Sequence, residues 1–159
     1  MDGPLNYGEW AQSVPGEITR DALWRMEVYR FAVFAGDLAW SDASKLQKDG
    51  RTIALSNQLY RAVGSIGANI AEGYSRRSGK DQARFYEYAL GSAREARGWY
   101  HQSRHVLSDT VAMHRIQFLT RIIRLLLTII PAERGYKMKE EQTLYEETPA
   151  DLLNNIPMP

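Results

Sequence analysis

The chain contains no cysteine. Disulfides, thiolate metal sites and cysteine nucleophiles are excluded together, and the absence suits a reducing cytoplasm, where the protein is expected to reside. A long apolar run is also missing. The most hydrophobic stretch, Ile116 to Ile130, is 15 residues long and is interrupted by Arg121 and Arg124. Crossing a bilayer takes roughly 20 apolar residues, so no membrane partner is expected. The start, MDGPLNYGEWAQ, has neither a basic stretch nor an apolar core, so a secretory signal is not expected. Strand-type alternation, an Asn-Gly hairpin signal and internal repeats are absent as well. So are the G-x-S-x-G elbow, the phosphate-binding loop and the dinucleotide fingerprint. No catalytic residue and no cofactor are therefore expected, and the chain reads as a non-enzyme.

What is present is enough to fold. With 159 residues, 44% of them hydrophobic, the chain can form one domain with a real core. A domain of this size removes roughly 70% of its unfolded surface from water. The formal net charge of +1 conceals an asymmetry. Residues 1–50 carry −3, residues 51–130 carry +7 and residues 131–159 carry −3. An arginine-rich middle between acidic ends fits an anionic partner, and it equally fits acidic ends folded over a basic body.

Residues 1–18, rich in Gly and Pro, read as an extended arm. Thr19 then caps a first helix reaching Ala43, and Asp-Gly at 49–50 marks a turn. A second helix is expected over Arg51–Glu72, stopped by Gly73 as a left-handed residue. Ser78 with Asp81 resembles a capping box opening a third helix to Leu107. Ser108 or Asp109 caps a fourth, which Pro131 ends. Helices of this length joined by short turns predict an all-α, antiparallel, up-down-up-down four-helix bundle over residues 19–131. Residues 132–159 form a polar, acidic tail, in which Thr148-Pro149-Ala150-Asp151 suits one more helical turn.

Two helices carry unusual faces. Ala62, Gly64, Ser65, Gly67, Ala68 and Ala71 crowd one stretch of the second, and each glycine costs about 1 kcal/mol of helix propensity. Close packing, within the bundle or between subunits, is the expected compensation. The fourth helix is apolar over well more than half its circumference, and its surplus is expected to meet a neighbouring subunit rather than its own tail. His101 and His105 lie four apart and His114 follows, but HExxH and Glu-x-x-His pairs are absent, so they read as structural histidines and no metal site is expected. Glu72 and Glu95 are expected to be partly buried, with salt bridges to Arg61 or Arg94, and Asn69 to hydrogen-bond across the core. Arg76, Arg77, Lys80 and Arg84 cluster at the N-terminus of the third helix, with Tyr74 nearby to stack on a base. Guanidinium groups and helix N-termini both suit phosphate.

The run Leu55-Ser-Asn-Gln-Leu-Tyr-Arg-Ala-Val-Gly-Ser-Ile-Gly-Ala-Asn-Ile-Ala-Glu-Gly-Tyr74 resembles the signature of the four-helix bundle proteins encoded in 23S rRNA intervening sequences. That family includes the accessory variability determinant proteins of diversity-generating retroelements. A second block, Phe85-x-x-x-Ala89-x-Gly91-Ser92-x-x-Glu95, is similar to the family's pattern on the following helix. Gln58, Arg61, Ser65, Asn69, Glu72, Gly73 and Tyr74 match the first block, and the resemblance implies that they determine fold and assembly. It also implies a homopentameric barrel acting without catalysis. In the retroelement members a basic surface binds nucleic acid and a reverse transcriptase. Gly67 stands where many members have Pro, and this nearly neutral chain differs from the strongly basic retroelement proteins.

Two readings follow. In the first, the protein is a homo-oligomeric binding module that takes RNA or DNA on its basic surface. In the second, it is a protein-interaction scaffold, for example for a reverse transcriptase, with no nucleic-acid contact.

Overall fold

Four runs of helix-period apolar residues become four long helices in the computed structural model, which describes residues 6–134 and 151–159. Helix α1 spans Tyr7–Ser13 and α2 spans Gly16–Thr19, followed by a 3-10 turn at Ala22–Arg25. The long helices are α3 (Glu27–Leu46), α4 (Ile53–Tyr74), α5 (Gly79–Leu107) and α6 (Asp109–Arg134). The described residues are all-helical, without a strand. Each long helix packs on the next, and α6 packs back on α3. The core takes one stripe from each helix, such as Phe31, Phe34 and Leu38 of α3 and Leu59, Ile66 and Ile70 of α4. Burying a side chain of that size contributes about 1.5–3 kcal/mol.

The helix ends follow local chemistry. Ser78 Oγ accepts from the Asp81 amide at 3.1 Å and donates to its carboxylate at 3.0 Å, so the expected cap opens α5. Ser108 alone separates α5 from α6; its φ is 91° and its Oγ accepts from the Val111 amide at 3.3 Å. Pro131 does not stop α6, which continues to Arg134. A proline costs a helix one N–H bond and a clash one turn back, and so near the terminus the last turn still closes.

In the described part of the N-terminal segment, residues 6–18, the chain is not an extended arm. Asn6 accepts from the amides of Gly8 and Glu9 and starts α1, which delivers Trp10 to the core. The indole N–H donates to Asp37 Oδ2 at 2.6 Å, and the ring lies 4.7 Å from Phe34. The first long helix consequently begins at Glu27 rather than at Thr19. The chain's end is not simply polar either. Leu152 and Ile156 are buried in the same core, and the Tyr7 amide donates to the Leu153 carbonyl at 3.1 Å. Of the expected helical turn at 148–151, residues 148–150 lie outside the described residues.

These contacts revise the expectation for α6. Ile122, Ile123, Leu126, Leu127 and Ile130 are buried, Ile116, Leu125 and Ile129 are half-buried, and Met113 is its one exposed large apolar residue. The apolar surplus is thus covered within a single chain, and α6 supplies no argument for a second subunit.

Candidate nucleic-acid interface

The turn between α4 and α5 takes its shape from Gly73. It is not in the left-handed conformation expected of a helix stop; α4 runs one residue past it, to Tyr74. Its role is steric. A Cβ at this position would sit 2.7 Å from Tyr86 Cε1 and 3.0 Å from Phe85 Cβ. Only glycine lets the end of α4 approach α5 this closely. The Gly73→Ala variant is expected to lose about 1–3 kcal/mol of stability in urea denaturation, the range for overpacking; an unchanged midpoint would contradict this account. Burial, with Glu133 and Tyr74 adding to it, pushes the Tyr86 phenol up to about 12, so Tyr86 stays neutral at physiological pH.

Above this junction the cations and aromatic rings alternate. The Arg76 guanidinium lies 4.7 Å from the centre of the Phe85 ring and also pairs with Glu72. Arg84 sits 5.8 Å from Phe85 and 5.9 Å from Tyr88, whose rings meet edge to face at 5.7 Å. Contacts of this kind are worth about 0.5–1 kcal/mol at exposed sites and hold a guanidinium plane against a ring. Tyr74, Tyr88, Arg77 and Lys80 are exposed. Among the described residues Arg77, Lys80 and Arg84 form no ion pair. The Gln82 side chain donates to the Arg76 carbonyl at 2.9 Å and steadies the turn. Of the four sequence-predicted cations, Arg76 and Arg84 are thus brought together on the Phe85 ring, and Arg77 and Lys80 lie exposed in the same turn and first helical turn; this stretch is the basic ledge.

The other basic residues are not equivalent. Arg51 is forked onto Asp49, Arg121 lies 4.5 Å over the Phe31 ring and 3.6 Å from Glu27, and Arg97 donates to Thr120 at 3.1 Å. Arg115 is buried. Hence the +7 of residues 51–130 overstates the free surface charge.

The family-motif residues separate into inner and outer sets. Gly73 and Ala89 are buried, and Phe85, Ser65, Asn69 and Ser92 are half-buried. Gln58, Arg61, Glu72, Gly91 and Glu95 face outward. Glu72 and Glu95 are thus exposed, not partly buried, because the small residues beside them lie on an outer face. Glu72 pairs with Arg76 rather than Arg61, and Glu95 accepts from the Trp99 indole at 3.1 Å. Asn69 does not cross the core; its amide donates to the Ser65 carbonyl of its own helix at 2.8 Å.

Sequence reasoning missed a second polar assembly. Asp42, fully buried on α3, accepts two bonds from Arg115 of α6, at 2.8 and 3.1 Å, and one from the Tyr100 hydroxyl of α5 at 2.8 Å. Burial and the neighbouring carboxylate hold the Tyr100 phenol well above its ordinary range. Arg115 also donates to His114, which lies against the Leu152 carbonyl at 2.9 Å. One signal was available: Asp42 continues the buried stripe of Phe31, Leu38 and Leu46. A carboxylate there requires a buried partner. His101 and His105 are exposed on α5, apart from this assembly.

The seat of the C-terminal segment is far from the ledge. Leu152 docks at His114, whereas Gly79, opening α5, lies against the Glu133 carbonyl. Those two positions of α6 are 19 residues apart, or about 28 Å at 1.5 Å per residue. Residues 151–159 therefore sit away from the ledge.

A family model described as 23S rRNA-intervening sequence protein matches residues 25–128. No curated protein and no solved structure matches the chain.

Proposed function

The chain belongs to the family of 23S rRNA-intervening sequence proteins, and on that premise we propose that it is a non-enzymatic, homo-oligomeric module that binds single-stranded RNA or DNA. Its architecture in this reading is an antiparallel, up-down-up-down four-helix bundle. Connectors of six residues (47–52), four residues (75–78) and one residue (108) support that order. So do the pairing of late α3 with early α6 through Asp42 and Arg115, and of early α3 with later α6 through Glu27 and Arg121.

The observation that carries the reading is the ledge itself: among the described residues Arg77, Lys80 and Arg84 have no acidic partner, and Arg76 and Arg84 lie against the Phe85 and Tyr88 rings. Cations that track phosphates, together with rings that stack on unpaired bases, suit a single strand better than a duplex, whose bases are already stacked. Gel retardation tests it. The intact protein should shift a single-stranded RNA oligonucleotide at low salt more strongly than the matched duplex. Failure to shift RNA or DNA of either form would end this reading.

A second reading, the protein-interaction scaffold, is favoured by a different surface. Trp40 of α3, 64% exposed, meets the exposed Tyr60 of α4 edge to face at 5.9 Å. A Cβ added at Gly36, Gly64, Gly91 or Gly98 would meet nothing within 4 Å. Packing among the described residues therefore explains none of these helix-weakening glycines, and close approach of another helix supplies the reason. In both readings the second surface is an assembly contact. Light scattering should give about five chain masses of 18.2 kDa, a closed ring, and the Trp40→Ala variant should dissociate. A monomeric wild-type protein would remove the assembly from both readings.

A further inference from the structure

We infer that Glu72 is an internal competitor for phosphate at the ledge: its carboxylate occupies Arg76 in the free protein and gives way when a single strand binds. The inference rests on the single-strand reading above and concerns the one ledge cation that has an acidic partner. Arg76 Nη2 donates to Glu72 Oε1 one helical turn away, whereas Arg77, Lys80 and Arg84 have no acidic partner among the described residues.

Both side chains are open to water, Arg76 at 43% and Glu72 at 52% exposure. The guanidinium is held from elsewhere. Its face lies against the Phe85 ring, the Arg76 amide donates to the Gly73 carbonyl at 3.0 Å, and the Arg76 carbonyl accepts from Gln82. The carboxylate can therefore leave without moving the turn or the cation.

Beside the pair is an open concavity of about 460 Å³, lined by Ala68, Ala71, Glu72, Ser75 and Arg76. Small-molecule sites measure about 300–1,000 Å³, so there is room for a nucleotide-sized group. The Ser75 hydroxyl donates to the Ala71 carbonyl at 2.8 Å, and Arg76 is the only cation of the lining and Glu72 its only anion. A phosphate entering there meets a guanidinium whose geometry suits it and a carboxylate that repels it. One guanidinium cannot hold both anions without bringing like charges side by side. An exposed ion pair shifts an equilibrium by about fivefold at most. A strand held at several phosphates therefore displaces Glu72, and the carboxylate lowers the affinity without abolishing binding.

The test is a double-mutant cycle on the full chain, read as affinity for a single-stranded RNA oligonucleotide at low salt. Glu72→Gln keeps the side-chain shape and the helix propensity and removes the charge. It should bind about three- to tenfold more tightly than the wild-type protein, through loss of the pair and of carboxylate–phosphate repulsion together. In the Arg76→Ala background the same change should alter affinity by less than about twofold, since without the guanidinium no phosphate is drawn into the concavity. Glu95→Gln removes an exposed carboxylate about 16 Å along α5 from Arg84, at 1.5 Å per residue, and should also leave affinity within about twofold. A Glu72→Gln affinity equal to or below that of the wild type would overturn the competitor while the ledge still binds. An equal gain in the Arg76→Ala background would do the same, because it would show a general effect of charge. A wild-type protein that binds no nucleic acid would end the reading of the ledge and this inference with it.

Discussion

Replacing Asp42 with Ala is expected to destabilise the protein by about 3–5 kcal/mol, the cost of leaving a buried charge without its partner. Asp42 is fully buried, and the guanidinium of Arg115 is 2% exposed. In the wild-type protein both carboxylate oxygens are occupied, by Arg115 and Tyr100. The variant strands the Arg115 cation and the Tyr100 hydroxyl together in an apolar interior. Stabilities of 5–15 kcal/mol are typical of single domains, so a loss of this size is a large fraction of the whole. The expected result is a urea midpoint shifted strongly downward at an unchanged slope. A double change, Asp42→Leu with Arg115→Met, should recover most of the loss, because an apolar pair needs no desolvation. A loss below about 1 kcal/mol in Asp42→Ala would show that the pair is not buried as described.

The second large effect concerns the ledge. The combined change Arg76→Ala, Arg77→Ala and Lys80→Ala should lower single-stranded RNA affinity by about 100-fold or more at low salt. Each phosphate contact on a single strand contributes roughly −0.7 to the log–log salt slope, so losing three should flatten it by about 2. In an oligomer the loss repeats on every subunit, which enlarges the effect. The three side chains are exposed and their backbone is held by the Ser78 cap and by Gln82, so helix content and assembly mass should not change. Tyr88→Ala separates the two halves of the ledge. It should weaken binding by about 1–3 kcal/mol, the value of one stacked base, and leave the salt slope unaltered. Retention of full affinity by the triple variant would move any binding away from this turn.

The sequence made some of this site legible. Arg76, Arg77, Lys80 and Arg84 fall within nine residues around one helix start, so proximity in the chain enforces proximity in space. Their alternation with Phe85 and Tyr88 follows from helical spacing, since residues three and four apart share a face. Less legible was the state of each charge. Arg121, Arg97 and Arg115 look like Arg84 in the sequence, yet pairing with Glu27, hydrogen bonding and burial, respectively, remove them from the free surface. Glu72 and Glu95 were misread for a related reason. Small neighbours suggest an interior, but Gly64 and Gly91 are bordered by open space in a single chain.

Helix type, the Ser78 cap and the family block from Leu55 to Glu95 were determined by the sequence itself, because period and capping act within a few residues. The N-terminal segment shows where that reach ends: its glycines and prolines suggested an extended arm, and Asn6 with Trp10 made it a docked helix. Only the tertiary structure decided the Asp42–Arg115 pair, whose members are 73 positions apart and come from α3 and α6. It alone showed that the apolar excess of α6 is covered within the chain. The same holds for Leu152, which returns to His114 across 38 positions. No local hydrogen bond or spacing encodes such contacts; they form because buried charge and apolar surface each need a partner, and the fold determines which lies within reach.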